Sequence, residues 1–331
     1  MSTVRTIKGI ELIDEALYVP AQRPDIQLHV RHRRPAAMTT FSPQRTIVLV
    51  HGATYSSGSL YDVPFNGISF LDYLAAAGYD VYALDVRGYG RSTRPPEMDQ
   101  PAGQHPPLAG TDDGVADLGS VVDFVLKRRH LEQLNIFGMS WGGTVAAAWT
   151  SRNNARVHKL ALVAPQWLND QPTRIDSGGD PGAWRLIAVR ETLNGWLSAA
   201  PEHARDRLIP AGWFDQWADA TLAEDPWSQS HTPGKIRAVS GPIQDIRDYW
   251  RVGRKYYQPA DIRVPVLLVH GEWDIDVPLA IARALFSELE NAPWRQWLEI
   301  GESTHMLLLE RHRMLAWNAI RDFYDRDYHP E

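Results

Sequence analysis

A serine between two glycines is the feature of this chain with the clearest chemical use. Residues 138–142 read Gly-Met-Ser-Trp-Gly and place Ser140 at the centre of the pattern. The segment before it, 134–137, has the apolar character of a buried strand, and the segment after it, 143–149, resembles a helix. A serine on a sharp turn from strand to helix exposes its hydroxyl, where it can act as a nucleophile. Glycines at 138 and 142 would let the strand and the helix approach closely, where a Cβ would clash.

A nucleophilic serine needs a base that accepts its proton, and His305 is the predicted base. It follows the last predicted strand, 296–300, and opens a predicted apolar helix at 306–309. A neutral imidazole is required for proton abstraction. Activity is therefore expected to rise as the pH passes the histidine pKa, which is nominally about 6.5.

An acidic group must orient that imidazole, and Asp274 is the predicted residue. It lies in the loop that leaves the predicted strand 264–269, at the carboxyl edge where open α/β sheets place their sites. Asp276 is the competing carboxylate in the same loop, and we prefer Asp274. The three residues then follow the chain order Ser140, Asp274, His305, which is the order expected with a strand–serine–helix turn.

Two backbone amides are predicted to hold the negative oxygen that develops when the serine attacks. The N–H of Trp141 lies at the start of the predicted helix, where amides have no intrahelical acceptor. The second donor is expected from the loop after the strand 46–50, and Ala53 is the candidate. His51 precedes Gly52 in this loop, and we interpret it as a structural residue that shapes the loop by a hydrogen bond.

Composition excludes several other classes of function. The chain has 331 residues, a net charge of −6 and no cysteine, so it has no basic surface for nucleic acid, no disulfide and no cysteine nucleophile. No run of about 18 apolar residues predicts a membrane span. The first residues lack an apolar signal core, so a cytoplasmic location is expected. Twelve scattered histidines show no metal-binding pair at helical spacing, and we expect no metal and no cofactor.

Short apolar runs alternate with helical patterns along most of the chain, which predicts a doubly wound α/β fold with a mostly parallel sheet. An earlier pair of segments, 16–19 and 26–32, is predicted to supply antiparallel edge strands. The predicted parallel strands are 46–50, 80–86, 134–137, 159–164, 264–269 and 296–300.

The pattern changes between residues 166 and 261, which we interpret as a helical cap (lid) inserted into a core domain formed by 1–165 and 262–331. Aromatic residues in the cap favour an apolar or aromatic substrate group. Arginine and acidic residues are mixed there, which argues against a strongly charged substrate unless a single arginine points inward. Tyr55, Trp167 and Met306 are the candidate substrate contacts. The cap is rich in tryptophan, most of which we expect to pack against the core: Trp167, Trp184, Trp196, Trp213, Trp217, Trp227 and Trp250.

Together these motifs resemble the α/β-hydrolase superfamily, in particular a serine esterase or lipase-like member with a helical cap. The resemblance rests on 51–53, on the Asp-x-Arg-Gly-x-Gly-x-Ser segment at 85–92, on 138–142, on the Asp274 loop and on His305. It implies an eight-stranded, mostly parallel sheet. It also implies a serine hydrolase triad with the two oxyanion amides named above and no cofactor.

The resemblance leaves several activities open. Epoxide hydrolases and dehalogenases of the superfamily use an aspartate nucleophile, whereas this chain has Ser140. We predict hydrolysis of a carboxylic ester of a small to medium, apolar or aromatic substrate through an acyl-enzyme. C–C bond hydrolysis and a peptidase activity similar to that of proline iminopeptidases are alternatives on the same triad. A ligand-binding or receptor protein with a vestigial triad is the alternative of another class.

Overall fold

The computed structural model describes residues 2–327, which build one nine-stranded sheet, one two-stranded sheet and the helices around them. The strands are β1 (Ser2–Ile7), β2 (Ile10–Pro20), β3 (Gln27–Pro35), β4 (Thr46–Val50), β5 (Asp80–Leu84), β6 (Leu134–Met139), β7 (Val157–Val163), β8 (Trp184–Ala188), β9 (Lys235–Val239), β10 (Val266–Gly271) and β11 (Arg295–Ile300). The α-helices are α1 (Ser57–Tyr61), α2 (Phe70–Ala76), α3 (Thr111–Arg129), α4 (Trp141–Arg152), α5 (Thr192–Ser198), α6 (Arg205–Leu208), α7 (Trp213–Leu222), α8 (Pro226–His231), α9 (Gly241–Asp245), α10 (Leu279–Glu288) and α11 (Arg313–Asp325).

The large sheet has the order β1-β2-β3-β5-β4-β6-β7-β10-β11. All neighbours from β5 to β11 in this order pair in parallel, and β1, β2 and β3 pair antiparallel. The α/β fold and the early antiparallel pair predicted from the sequence are thus confirmed. The sheet has nine strands rather than eight because Lys8 and Gly9, with φ of 48° and 82°, form a tight turn that returns β1 against β2.

Both faces of the central strands are buried, which explains their continuous apolar sequences. Ile47, Val48, Leu49 and Val50 of β4 have no solvent-exposed surface. Val48 and Val50 belong to the apolar cluster on the side of α3 and α4, and Ile47 and Leu49 belong to the cluster on the side of α2 and α11. Burying such a side chain stabilises the fold by roughly 1.5–3 kcal/mol. The alternating strands and helices place the carboxyl ends of β4, β6, β10 and β11 along one edge of the sheet.

The segment between β7 and β10 contains helices α5 to α9, as its helical pattern predicts, but it also contains the antiparallel pair β8–β9. Each of these strands has only five residues, too few for their alternation to be distinguished from a short helix. A buried ion pair attaches the segment to the large sheet, with Arg31 Nη2 of β3 2.7 Å from Glu224 Oε1. Within residues 2–327, no helix combines the length and apolar character needed to cross a membrane.

Candidate active site

Ser140 occupies a strained turn between β6 and α4. Its φ of 55° and ψ of −122° lie in a region that residues other than glycine rarely adopt. A hydrogen bond from the Ser140 N–H to Val163 O (2.8 Å) holds the turn against β7. A Cβ at Gly138 would lie 2.3 Å from Gly142 O, and one at Gly142 would lie 2.2 Å from His51 O. The structure therefore confirms that both glycines are required by close backbone contacts.

The structure brings Asp274 and His305 together. His305 Nδ1 lies 2.8 Å from Asp274 Oδ2, and the other oxygen, Oδ1, accepts the N–H groups of Asp276 (2.9 Å) and Val277 (2.8 Å). Because an ionised carboxylate can only accept, Nδ1 carries a proton, and in the neutral imidazole Nε2 is the nitrogen that can accept one. The competing carboxylate, Asp276, lies instead 3.6 Å from Arg174 Nε.

The same pair changes the basicity of the imidazole. Burial by itself lowers the pKa of His305, but the negative charge of Asp274 and its hydrogen bond outweigh burial and raise that pKa to about 9. The imidazolium that forms when His305 accepts a proton is therefore stabilised. In the free protein the neutral, proton-accepting form becomes dominant only above about pH 9.

His305 lies in a turn and does not begin a helix, so the helix predicted at 306–309 is wrong. The next helix is α11, which begins at Arg313. Buried Glu310 fixes the conformation of this turn. Its Oε2 accepts a hydrogen bond from the Thr304 N–H (2.8 Å), and its Oε1 accepts one from Trp196 Nε1 (2.6 Å). Glu310 also accepts a hydrogen bond from the hydroxyl of Thr304. Burial raises the pKa of Glu310 to about 7 despite these hydrogen bonds.

The two predicted oxyanion donors belong to segments that lie next to the serine. Trp141 is the first residue of α4, where the helix leaves its N–H without an intrahelical partner. Gly52, which precedes Ala53, passes so close that a Cβ there would be 3.7 Å from Ser140 Oγ. His51 Nδ1 lies 2.8 Å from Gly52 O, and its Nε2 accepts the Val86 N–H at 3.1 Å. This confirms the structural role of His51 in shaping the loop, and burial lowers its pKa.

Ser140 and His305 line the same cavity, which has a volume of about 480 Å³. Two of the predicted substrate contacts, Tyr55 and Met306, line it as well, together with Ala53. Trp167 is not among the lining residues of this cavity. It is buried and packs against Tyr257, with 5.0 Å between the ring centroids. Four further residues line the cavity from the segment between β7 and β10: Arg174, Arg185, Leu186 and Trp196. The first three were not singled out from the sequence, and Trp196 was named only among the tryptophans expected mostly to pack against the core.

One group of possible metal ligands lies at the site, formed by Asp274, Asp276 and His305 with ligand atoms within 4.8 Å of one another. These atoms already have partners, because both Asp274 oxygens accept hydrogen bonds and Asp276 faces Arg174. A cation in this position would have to displace the Nδ1 proton of His305. The arrangement therefore suits proton transfer through the imidazole.

The family model described as serine aminopeptidase, S33, matches residues 42–312. The chain belongs to this family of α/β-hydrolases and is a hydrolase. It is 26% identical over 273 residues to 2-hydroxy-6-oxononadienedioate/2-hydroxy-6-oxononatrienedioate hydrolase of Cupriavidus pinatubonensis, which covers 76% of this chain and 81% of the relative. It is 25% identical over 251 residues to monoacylglycerol lipase of Mycolicibacterium smegmatis, covering 75% and 77% of the two chains.

Solved structures show the same fold at low sequence identity. A serine hydrolase involved in carbazole degradation superimposes with a TM-score of 0.60 at 16% identity, covering 94% of this chain and 99% of the other. A thermophilic esterase from Thermogutta terrifontis superimposes with a TM-score of 0.58 at 17% identity, covering 94% and 98%. These likenesses concern the fold of this α/β-hydrolase and not its substrate.

Proposed function

We propose that this α/β-hydrolase cleaves carboxylic esters through an acyl-enzyme on Ser140. The observation that carries the proposal is the Asp274–His305 hydrogen bond of 2.8 Å, beside a cavity that the strained Ser140 also lines. A base with a free Nε2 and a serine on a strand-to-helix turn are the two groups that acyl transfer needs.

The proposed reaction has two steps with one base. Ser140 Oγ attacks the acyl carbon while His305 Nε2 accepts its proton, and the amides of Ala53 and Trp141 hold the negative oxygen. His305 then gives that proton to the leaving alcohol as the acyl C–O bond breaks. Water, deprotonated by His305, attacks the acyl-enzyme, and the proton returns to Ser140 as the acid leaves. Asp274 keeps the imidazole oriented and stabilises its charged form.

Residues 166–261 are proposed to act as a cap over this site, with 1–165 and 262–331 as the core. The proposal is supported by the cavity, which the core lines with Ser140 and His305 and the cap segment lines with Leu186 and Trp196. A cap of this kind excludes water from the reaction and selects the substrate.

A second candidate is hydrolysis of a C–C bond in a diketone, since the relative from Cupriavidus pinatubonensis is named for oxo-dioate substrates. Peptide hydrolysis is favoured only by the description of the matched family and by relatives named proline iminopeptidase, one of them 23% identical over 294 residues. Both candidates would use the same serine. A substrate panel therefore decides between them, and loss of the serine decides whether this site acts at all.

The test compares wild type with Ser140→Ala on p-nitrophenyl esters, a β-diketone and proline p-nitroanilide, together with labelling by a fluorophosphonate probe. Wild type should hydrolyse esters and be labelled stoichiometrically, and Ser140→Ala should lower kcat by roughly 10⁴- to 10⁶-fold and abolish labelling. Ser151→Ala is the matched control because Ser151 lies on the same helix and bonds to Ala148 O. Ester hydrolysis that survives in Ser140→Ala would contradict the proposal, and absence of labelling in wild type would favour a ligand-binding protein.

A further inference from the structure

Arg185 of β8 reaches from the cap segment to the loop beside the serine. Its Nη2 donates to Thr54 Oγ1 at 2.8 Å, and its Nη1 donates to Val239 O of β9 at 3.0 Å. Thr54 directly follows Ala53, the candidate oxyanion donor, and Arg185 lines the same cavity as Ser140. The Arg185 guanidinium therefore lies in the wall of the cavity. It contacts the residue that follows Ala53, the proposed donor to the acyl oxygen.

The fully buried arginines of this protein have partners that balance or accommodate their charge. Arg31 contacts Asp85 and Glu224, and Arg237 contacts Asp225. Arg313 has no carboxylate partner in the described part of the chain, but it lies 4.0 Å from the centroid of the Trp213 ring. The fold thus supplies either an acid or an aromatic face wherever it buries a guanidinium.

Arg185 has neither of these among residues 2–327. No carboxylate lies within 4.0 Å of its nitrogens, and it stacks on no aromatic ring. Burial lowers the pKa of Arg185, and the titratable groups that act on it are the hydroxyls of Tyr89 and Tyr55 rather than an acid. Its two hydrogen bonds use two of five N–H donors. Arg185 is half-buried in the cavity wall, and a charge partly removed from water without an acidic partner is costly, so its position favours an anion from outside the chain.

We propose that the substrate carries a carboxylate that binds Arg185, so that the preferred esters are monoesters of short dicarboxylic acids. The proposal rests on the proposed function and names its substrate class. A guanidinium binds a carboxylate through two parallel hydrogen bonds, which suits the donors that Arg185 has left. The carboxylate is not a reacting group. It anchors the acyl part so that the ester carbonyl reaches Ser140 and the amide of Ala53.

The separation of these groups predicts a short spacer. Arg185 contacts the side chain of Thr54, and consecutive Cα atoms are about 3.8 Å apart, so the guanidinium lies no more than about 11 Å from the Ala53 N–H. Hydrogen bonds of about 3 Å at each end leave at most about 5 Å between the two bound oxygens, which a spacer of two or three methylene groups can span. Arg174, the other arginine of the cavity, is expected to contribute less because it already faces Asp276 at 3.6 Å.

The test compares mono-p-nitrophenyl esters of succinic, glutaric and adipic acid with the same compounds methylated at the free carboxylate. Wild type should hydrolyse the free acids with a higher kcat/KM than the methylated forms. Arg185→Gln should lower kcat/KM for the free acids about 10- to 100-fold, the range of one hydrogen bond to a charged group, and change the methylated forms by less than threefold. Arg185→Lys keeps the positive charge but cannot form two parallel hydrogen bonds. Its kcat/KM for the free acids should therefore lie between those of wild type and Arg185→Gln.

Arg190→Gln is the matched control, since Arg190 also lies in the cap segment but is exposed and paired with Asp215 and Asp219. It should leave both substrate classes unchanged. An equal loss of activity on both classes in Arg185→Gln would mean that Arg185 only ties the cap to the Thr54 loop, and would overturn the proposal. Unchanged activity on the free acids would overturn it as well.

A binding measurement separates this proposal from the proposed ester hydrolysis. Glutarate should bind wild type and Arg190→Gln in calorimetry, with binding lost in Arg185→Gln, whether or not the protein cleaves esters. Equal or absent glutarate binding in all three proteins would refute the role of Arg185. Conversely, ester hydrolysis that depends on Ser140 but shows no preference for the free acids would leave the proposed function intact and exclude this substrate class.

Discussion

Replacing Asp274 with asparagine tests the centre of the proposed mechanism. A His305 pKa of about 9, instead of the ordinary 6.5, corresponds to a net stabilisation of the imidazolium by about 3 kcal/mol, and Asp274 must supply at least this much because burial opposes it. Loss of the charge alone should therefore lower the rate by at least roughly 300-fold. The asparagine amide can also donate toward Nδ1 and favour the wrong tautomer, which raises the expected loss to as much as about 10⁴-fold.

The pH profile distinguishes this effect from a general loss of structure. Only neutral His305 accepts a proton, so kcat/KM of wild type should rise with pH and level off above about pH 9. In Asp274→Asn the rise should occur at or below about pH 6.5, with a much lower plateau. The comparison must be made on the plateaus, because at pH 7 most wild-type His305 is still protonated and the difference is understated.

The assay is p-nitrophenyl ester hydrolysis from pH 5 to pH 10.5, with subtraction of the uncatalysed rate. Asp276→Asn is the control in the same loop, since Asp276 contacts Arg174 and only raises the pKa of His305 from a distance. Asp276→Asn should shift the rise in kcat/KM only slightly toward lower pH, and its plateau should stay within a few-fold of the wild-type plateau. A plateau within threefold of wild type in Asp274→Asn, or an unchanged rise near pH 9, would refute the reasoning.

The stability of the fold should also depend on the protonation of His305. The folded-state pKa of His305 lies above its unfolded value, so the ion pair with Asp274 contributes full stability below about pH 6.5. That contribution is lost as the pH rises through about 9. Thermal unfolding should therefore show the Tm difference between wild type and Asp274→Asn shrinking from pH 6 to pH 9.5, and a constant difference would argue against this linkage.

Two further predictions concern the supports of the site. Gly142→Ala should unfold the protein or destabilise it by at least about 1–3 kcal/mol, because the new Cβ meets His51 O at 2.2 Å, whereas Gly103→Ala, in open space, should have little effect in urea denaturation. Glu310→Gln should destabilise the fold by about 1–3 kcal/mol at pH 8, because its amide must face a buried donor of Thr304. Glu302→Gln serves as control, since the Glu302 side chain is partly exposed and its Oε1 pairs with Arg207 at the surface. Equal urea midpoints for the members of either pair would contradict the corresponding argument.

Much of the sheet could be predicted because each central strand is apolar on both faces. The prediction for 46–50 coincides with β4, and that for 80–86 begins with β5 at Asp80. The strand-to-helix turn at Ser140 was also predictable, because it depends on backbone contacts of the neighbouring glycines. These features are local and follow from periodicity and sterics.

Other features required the three-dimensional arrangement. The turn at His305 replaced a predicted helix because Glu310 bonds back to Thr304 and to Trp196 of the distant helix α5. The antiparallel strands β8 and β9 pair residues that are about fifty positions apart in the sequence. This pairing places Arg185 in the wall of the cavity. No local pattern carries this information, since the partners meet only after the chain has folded.

The sequence by itself thus determined the fold class, the turn that presents Ser140 and the chain order of the groups that could serve it. Only the tertiary structure decided that Asp274 rather than Asp276 meets the imidazole, and that an arginine without an acid faces the cavity. The physical reason is range: backbone sterics and apolar periodicity act between near neighbours, whereas the charge and hydrogen bonding of a site depend on residues brought together from distant segments.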